Sequence, residues 1–185
     1  MSSLTIPPLK EDLIRVLIDA DTIQRKVSEL ARQISEDHKS DETLVVVGVL
    51  KGSFIFAADL CRQLEVDHIV DFIALSSYGS TAKATGNVRL IMDVRENLAG
   101  KHVLIVEDIL DSGYTLDYLK RNFETRKPAS LKTIALLNKQ ERREVDVTLD
   151  YVGFDIPDVW VVGYGLDYAE KYRTLPYIAE MKPVE

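Results

Sequence analysis

The sequence contains one cysteine, Cys61, in 185 residues, so an intramolecular disulfide framework is excluded. It has no apolar run of membrane-spanning length. Its first residues, Met-Ser-Ser-Leu-Thr-Ile-Pro-Pro, lack the basic region and apolar stretch of a secretory signal. These absences lead us to expect a cytoplasmic chain with no membrane partner. Blocks of Lys or Arg are also missing, and the formal charge is −7, which argues against nucleic acid as a partner. A small anionic ligand remains compatible, because a local site can oppose the net charge. The three histidines, His38, His68 and His102, show no metal-ligand spacing and read as structural or surface residues. The Gly-x-x-x-x-Gly-Lys-Ser/Thr run is absent, which argues against a P-loop phosphotransferase. We find no internal repeat and no low-complexity linker.

What is present suits a single domain over residues 1–185, with a core at about 20–145 and a small lobe formed largely by 146–185 together with N-terminal residues. The hydrophobic fraction of 46% over this length is enough to bury a core without staples. Cys61 sits in an apolar helical stretch with Phe56, Ala57, Leu60 and Leu64, and reads as a small buried thiol rather than a nucleophile.

Strand and helix signals alternate along the chain, the pattern of an α/β fold with a mostly parallel sheet. Asp21 or Thr22 can cap a helix whose apolar residues Ile23, Val27, Leu30, Ala31 and Ile34 recur at helical spacing. The continuous β-branched run over 44–50 predicts a strand covered on both faces. Lys51 and Gly52 end it, and a helix is expected from Ser53 through Leu64. Residues 68–78 read as a strand, 79–87 as an exposed mobile loop, and 88–94 as a strand again. The strongest strand signal is 102–110, followed by an amphipathic helix carrying Leu116, Leu119 and Phe123. A strand at 131–138 and shorter ones at 147–154 and 159–163 complete the reading, followed by loops rich in Tyr and Gly.

The chemistry concentrates in 106–115, Val-Glu-Asp-Ile-Leu-Asp-Ser-Gly-Tyr-Thr. This run lies at the carboxyl end of a parallel strand and opens a helix, the place where open α/β sheets bind ligands. Backbone N–H groups at the helix start, the helix dipole, and the hydroxyls of Ser112 and Thr115 suit a phosphate. Glu107 and Asp108 stand beside this cradle, and Asp111 stands inside it. Carboxylates repel a phosphate unless they accept hydrogen bonds from sugar hydroxyls or hold Mg2+ shared with the ligand. A ligand with a phosphate, a ribose and a diphosphate on Mg2+ satisfies both conditions, and phosphoribosyl pyrophosphate has that composition.

The run resembles the phosphoribosyl-pyrophosphate motif of type I phosphoribosyltransferases. Further segments resemble the hypoxanthine-guanine subfamily: 48–53 (Gly-Val-Leu-Lys-Gly-Ser), 76–79 (Ser-Ser-Tyr-Gly), 136–139 (Leu-Leu-Asn-Lys), 152–158 (Val-Gly-Phe-Asp-Ile-Pro-Asp) and 160–168 (Trp-Val-Val-Gly-Tyr-Gly-Leu-Asp-Tyr). The resemblance implies a parallel, Rossmann-like core with a hood, and transfer of phosphoribose to hypoxanthine or guanine with release of pyrophosphate. It implies that Asp111, Ser112, Gly113, Tyr114 and Thr115 bind the 5′-phosphate, that Glu107 and Asp108 hold the ribose, and that Asp111 is the general base near purine N7. Tyr114 stands where some relatives carry lysine. Leu50, Lys51 and Gly52 match the pyrophosphate loop, which in the family often contains a cis peptide, and Arg173 matches the arginine that reaches pyrophosphate.

Lys139 matches the residue that reads the purine six-position; an ammonium has donors only, so it suits an oxygen there and opposes the amino group of adenine. Trp160 matches an aromatic that stacks on the base, and Val161 matches a residue that offers backbone groups to the purine edge. Asp167, on the purine and pyrophosphate side, matches a Mg2+ ligand, with Glu107 and Asp108 as further metal candidates. Ser77 and Tyr78, with the stretch to Asn87, match a lid. The resemblance also implies a homodimer or homotetramer. Two rivals share the ligand: a xanthine-preferring enzyme, and a non-catalytic regulator that senses phosphoribosyl pyrophosphate. The regulator would need a nucleic-acid-binding module or basic face, and the sequence has neither.

Overall fold

The computed structural model describes residues 11–38, 43–77 and 88–182. Tyr78, the expected lid loop at 79–87 and N-terminal residues 1–10 lie outside the described residues, as does the side chain of Ser77.

Among the described residues, nine strands and three α-helices follow in chain order: β1 (Leu13–Ile18), α1 (Ala20–Asp37), β2 (Leu44–Leu50), α2 (Phe54–Cys61), β3 (His68–Ser77), β4 (Val88–Met92), β5 (His102–Leu110), α3 (Tyr114–Glu124), β6 (Ser130–Asn138), β7 (Tyr151–Asp155), β8 (Val161–Val162) and β9 (Ile178–Met181). A short 3-10 turn, Gln140–Arg142, follows β6. The large sheet has the order β4-β3-β2-β5-β6-β7, and a small sheet has the order β1-β9-β8. All neighbours in the large sheet are parallel except β3 and β4.

The pleat of β2 explains its unbroken apolar sequence. Successive side chains point to opposite faces, so Leu44 and Val46 join α1 and α2 while Val45, Val47 and Val49 join α3. Ile23, Val27, Leu30 and Ile34 of α1 and Phe56 and Leu60 of α2 cover the first face; Leu116, Leu119 and Phe123 of α3 cover the second. Each such fully buried side chain contributes roughly 1.5–3 kcal/mol through area removed from water. Cys61 joins the first cluster, and burial pushes its thiol up to about 11, as an inert packing residue requires.

The structure differs from the sequence reading at several boundaries. α1 is capped by Asp19, not Asp21 or Thr22: the Asp19 side chain accepts from the Thr22 backbone N–H at 2.9 Å. α2 ends at Cys61 rather than Leu64. Tyr151–Asp155, expected within the small lobe, is the edge strand of the large sheet, paired with β6. The strand at 159–163 shrinks to Val161–Val162. β1 and β9 carried no clear alternation in sequence, yet they pair along Leu13–Ile18 with Ile178–Met181 and bring the N-terminal segment to the hood.

The histidines are accounted for by neighbouring acceptors and donors. His38 Nδ1 meets the Ile34 carbonyl at 2.9 Å, His68 Nδ1 the Val66 carbonyl at 2.8 Å, and His102 Nδ1 the Ser130 hydroxyl at 2.6 Å.

Candidate active site

β2 and β5 lie side by side, but the helices that follow them cover opposite faces of the sheet. The chain therefore diverges above their carboxyl ends and leaves a crevice there. A cavity of about 300 Å3 occupies it. Leu50 and Gly52 line it from the end of β2, Glu107 and Asp108 from β5, and Asp111, Ser112, Gly113 and Thr115 from the turn into α3. A volume of this size lies at the lower end of ordinary small-molecule sites.

The turn into α3 is held from below. The Ser112 carbonyl accepts from the backbone N–H groups of Glu144 and Val145 at 2.9 and 3.1 Å, and Arg143 Nε donates to the Asp111 carbonyl at 3.1 Å. Arg143 also donates to the Val147 carbonyl at 2.9 Å and to Asn138 Oδ1 at 2.6 Å, which ties the turn to β6. Gly113 caps α3 with φ 96°, and a Cβ there would stand 3.1 Å from the Val145 carbonyl oxygen. The positive φ favours glycine, and the contact leaves little slack for a side chain. The first N–H groups of α3 have no partner within the helix and carry the positive end of its dipole. Tyr114 is the first helical residue; its phenol turns away to donate to Glu144 at 3.2 Å.

Of the two acids on β5, Glu107 is buried and Asp108 is half-buried at the cavity wall. Burial holds the Glu107 carboxyl well above the usual carboxylate range, and the neighbouring charge of Asp108 adds to this. Burial also pushes Asp108 up to about 6, against the lowering pull of the Asp108 and Ile109 backbone amides and of Arg173, while Asp167 raises it further. Donors or a cation brought by a ligand would favour the charged forms of both.

On the opposite side the hood approaches. The Leu50–Lys51 peptide is cis. A Cβ on Gly52 would stand 1.7 Å from Asp108 Oδ2, and a Cβ on Gly165, at φ +107°, would stand 1.9 Å from the Gly52 carbonyl oxygen. The Gly52 and Gly165 backbones and the Asp108 carboxyl therefore meet with no room for a side chain on either glycine. Lys51 Nζ lies 3.2 Å from both Glu170 carboxylate oxygens. Arg173 contacts Asp167 at 2.8 Å and Glu170 at 3.2 Å, and donates to the Gly165 carbonyl at 2.9 Å. Its Nε is buried without a hydrogen-bond acceptor. Asp167 also accepts from the Glu170 backbone N–H at 2.8 Å.

Lys51, Asp167 and Arg173 on the hood side, like Lys139, Trp160 and Val161, lie outside the lining of the cavity. Lys139 is buried at the end of β6, and its backbone N–H donates to the Leu110 carbonyl at 2.9 Å. Trp160 is 59% exposed, leaving an indole face free for stacking, whereas Val161 is buried in β8 opposite Glu180. Asp111 Oδ1 is buried with no hydrogen-bond partner and lies 3.4 Å from Arg142 Nε.

The sequence reading missed Glu170, Gly165, Arg142, Arg143 and Asp158. Gly165 and Asp158 lay within segments already noted for resemblance, but nothing in their residue type assigned them a task. Glu170 and the two arginines sit in ordinary charged surface runs.

The family model for a phosphoribosyl transferase domain matches residues 18–169. The hypoxanthine phosphoribosyltransferase of Salmonella typhimurium is 50% identical over 169 residues, covering 91% of this chain and 95% of that protein. The hypoxanthine-guanine phosphoribosyltransferase of Bacillus subtilis is 45% identical over 175 residues, covering 95% of this chain and 97% of its own length. Among solved structures, a hypoxanthine-guanine phosphoribosyltransferase from Bacillus anthracis superposes with a TM-score of 0.88 at 52% identity, covering 92% of this chain and 99% of that one. The hypoxanthine phosphoribosyl transferase of Trypanosoma cruzi gives 0.90 at 44% identity, covering 96% and 95%.

Proposed function

The chain belongs to the phosphoribosyltransferase family, and from that premise we propose that it salvages purines, converting hypoxanthine, and guanine as a second substrate, with phosphoribosyl pyrophosphate into IMP or GMP and pyrophosphate. One juxtaposition carries this reading. A helix-start cradle, two acids at the end of β5 and the loop at the end of β2 line one cavity at the divergence of β2 and β5.

In this reading the amides and hydroxyls of 111–115 take the 5′-phosphate. Glu107 and Asp108 accept hydrogen bonds from the ribose hydroxyls, which add to the backbone amides already at Asp108. As the bond from the anomeric carbon to pyrophosphate lengthens, the ring gains oxocarbenium character, and the two carboxylates stabilise that positive charge. Purine N9 forms the new bond to the anomeric carbon, pyrophosphate leaves with the old bonding pair, and Asp111 accepts the proton at N7. Lys51, the Gly52 backbone and Arg173 receive the diphosphate. Its oxygens would replace Glu170 as partner of Lys51 and would satisfy the buried Nε of Arg173. Lys139 donates to the six-oxygen, Trp160 stacks on the ring, and Val161 presents backbone groups to its edge. Ser77 and Tyr78 belong to a lid that keeps water from the ribosyl cation.

Among the described residues no group of three or more His, Cys, Asp or Glu could hold a metal ion unaided. The fit to Mg2+ is nevertheless sound, because Mg2+ usually takes one or two carboxylates and the rest from waters and substrate phosphates. Asp167 on the hood side, with Glu107 and Asp108 on β5, would supply those carboxylates. When bound, the ion neutralises charge on the departing diphosphate. We place the reaction in the cytoplasm, since so highly charged a substrate does not cross a bilayer unaided, and we assign the protein a homodimeric or homotetrameric state.

The test is a panel of hypoxanthine, guanine, xanthine and adenine, each with phosphoribosyl pyrophosphate and Mg2+, following nucleotide formation. Turnover of hypoxanthine or guanine with little from adenine is expected. Binding of phosphoribosyl pyrophosphate with no nucleotide formed from any base would overturn the reading.

A further inference from the structure

Four charged side chains of alternating sign form a row beside the cavity. Lys139 Nζ lies 3.7 Å from Asp158 Oδ1, that oxygen lies 3.6 Å from an Arg142 terminal nitrogen, and Arg142 Nε lies 3.4 Å from Asp111 Oδ1. The ends of the row are the two side chains proposed to meet the same edge of the purine, Lys139 at the six-oxygen and Asp111 at N7. The middle members, Asp158 in the β7–β8 connection and Arg142 in the 3-10 turn, have no part in the mechanism above.

The Lys139 ammonium is buried, so its attraction for a nearby carboxylate is less screened than at the surface. If Lys139 and Asp111 closed on each other directly, each would consume the other's hydrogen-bonding capacity, and neither could meet the base. The interposed pair prevents this, because each end group already has an opposite charge beside it. All three separations are ion-pair distances rather than tight hydrogen bonds, so the end groups can turn to a ligand without breaking strong contacts. Lys139 is 7% exposed at its side chain, whereas Asp158, Arg142 and Asp111 are each 43–44% exposed. The middle pair can therefore be altered without opening the core.

We propose that Arg142 and Asp158 are positioning residues that hold Lys139 and Asp111 apart, Asp158 aiming the ammonium at the six-oxygen and Arg142 holding the carboxylate toward N7. This rests on the purine-transfer reading of the same site. The row is a spacer as much as a support: it sets the distance between the donor and the acceptor that a 6-oxopurine must meet together.

The experiment compares Arg142→Gln, Asp158→Asn, their double variant and the charge-retaining Arg142→Lys in the full chain. It measures kcat and the KM of hypoxanthine and of phosphoribosyl pyrophosphate separately, with Tm recorded for each variant. Asp158→Asn is expected to raise the KM for hypoxanthine roughly tenfold, and Arg142→Gln to lower kcat by about the same factor, both leaving the KM for phosphoribosyl pyrophosphate unchanged. Arg142→Lys should restore most of the kcat, and the double variant should lose less than the product of the single losses, because the two act through one row. Single variants within about twofold of wild type, losses shared equally by both substrates, or a double variant that multiplies the single losses would overturn the proposal. A wild-type protein that forms no nucleotide would instead sink the purine-transfer reading itself, so the two failures are distinguishable.

Discussion

The two sides of the candidate site, the cavity wall and the hood that meets it at Gly52, carry charge in opposite ways. The β5–α3 side, residues 107–115, offers a phosphate backbone amides and hydroxyls at a helix start, and its acids are desolvated and hard to ionise. The hood side offers cations, but Lys51 and Arg173 are already engaged by Glu170 and Asp167. The amide side is built before the ligand arrives. The cationic side must exchange partners, trading protein carboxylates for ligand oxygens. A net charge of −7 is compatible with a ligand that is anionic at both ends for this reason: one side needs no cation, and the other releases cations it holds in reserve.

The comparison is tested most severely where the sides touch. A Cβ at Gly165 would meet the Gly52 carbonyl at 1.9 Å, backbone against side chain with nothing flexible to yield, at a φ of +107° that alanine resists. Gly165→Ala should cost about 2–4 kcal/mol of stability and cut kcat/KM for phosphoribosyl pyrophosphate roughly 100-fold or more. Denaturant unfolding and steady-state kinetics read the two effects. An unchanged KM for phosphoribosyl pyrophosphate would mean that the hood contact does not set the diphosphate site.

Within the amide side, Asp111→Asn separates chemistry from binding. The cradle's amides survive the change, so affinity for phosphoribosyl pyrophosphate should stay within about threefold, while kcat falls roughly 100-fold or more with loss of the proton acceptor. Equal losses in kcat and in binding, measured by titration calorimetry against turnover, would remove Asp111 as base.

The unequal legibility of the two sides has the same physical origin. The β5–α3 side is local: a buried strand, two acids and a Ser-Gly-x-Thr helix start fall within ten consecutive residues, so type and spacing reveal the chemistry. The α/β sheet was equally plain, because the β-branched run of β2 is covered on both faces. The hood resists such reading. Its backbone passes through positive φ at Tyr164, Ala169, Glu170 and Tyr172, positions where residue type carries no turn signal, and β1 reaches β9 only across the whole chain. Arg173 was found by resemblance alone, and its partner Glu170 was not found. The pairing of Glu170 with Lys51, 119 positions away, leaves no trace in spacing.

The strained protonation of the β5 acids gives a smaller effect with a definite sign. Asp108 is raised to about 6 in the folded protein, so between its ordinary value of 3.8 and that point the folded state binds more protons than the unfolded one. Stability of the free protein then falls as pH rises through this window and levels off above it. Asp108→Asn removes that loss. The variant should match wild type near pH 4 and exceed it by about 1–3 kcal/mol at pH 7, by chemical denaturation without ligand. A difference independent of pH would place the effect in packing rather than ionisation.

The smallest effect tests the exchange of partners on the hood side. Glu170 is held below its ordinary proton affinity by hydrogen bonds from Lys51 and then Arg173, so it is charged at neutral pH and competes with the ligand for both cations. The Lys51–Glu170 pair is two-thirds exposed on each side, so solvent screens most of its strength. Glu170→Gln keeps the shape, removes the competing charge, and should lower the KM for phosphoribosyl pyrophosphate by roughly two- to fivefold at low salt, shrinking as ionic strength rises. Most losses of a charged residue near an active site weaken binding; here the sign is reversed, because the carboxylate occupies the place the diphosphate must take. A KM that rose on this substitution would show that Glu170 shapes the cationic pocket instead of guarding it, and the contrast between a preformed side and an exchanging side would then collapse.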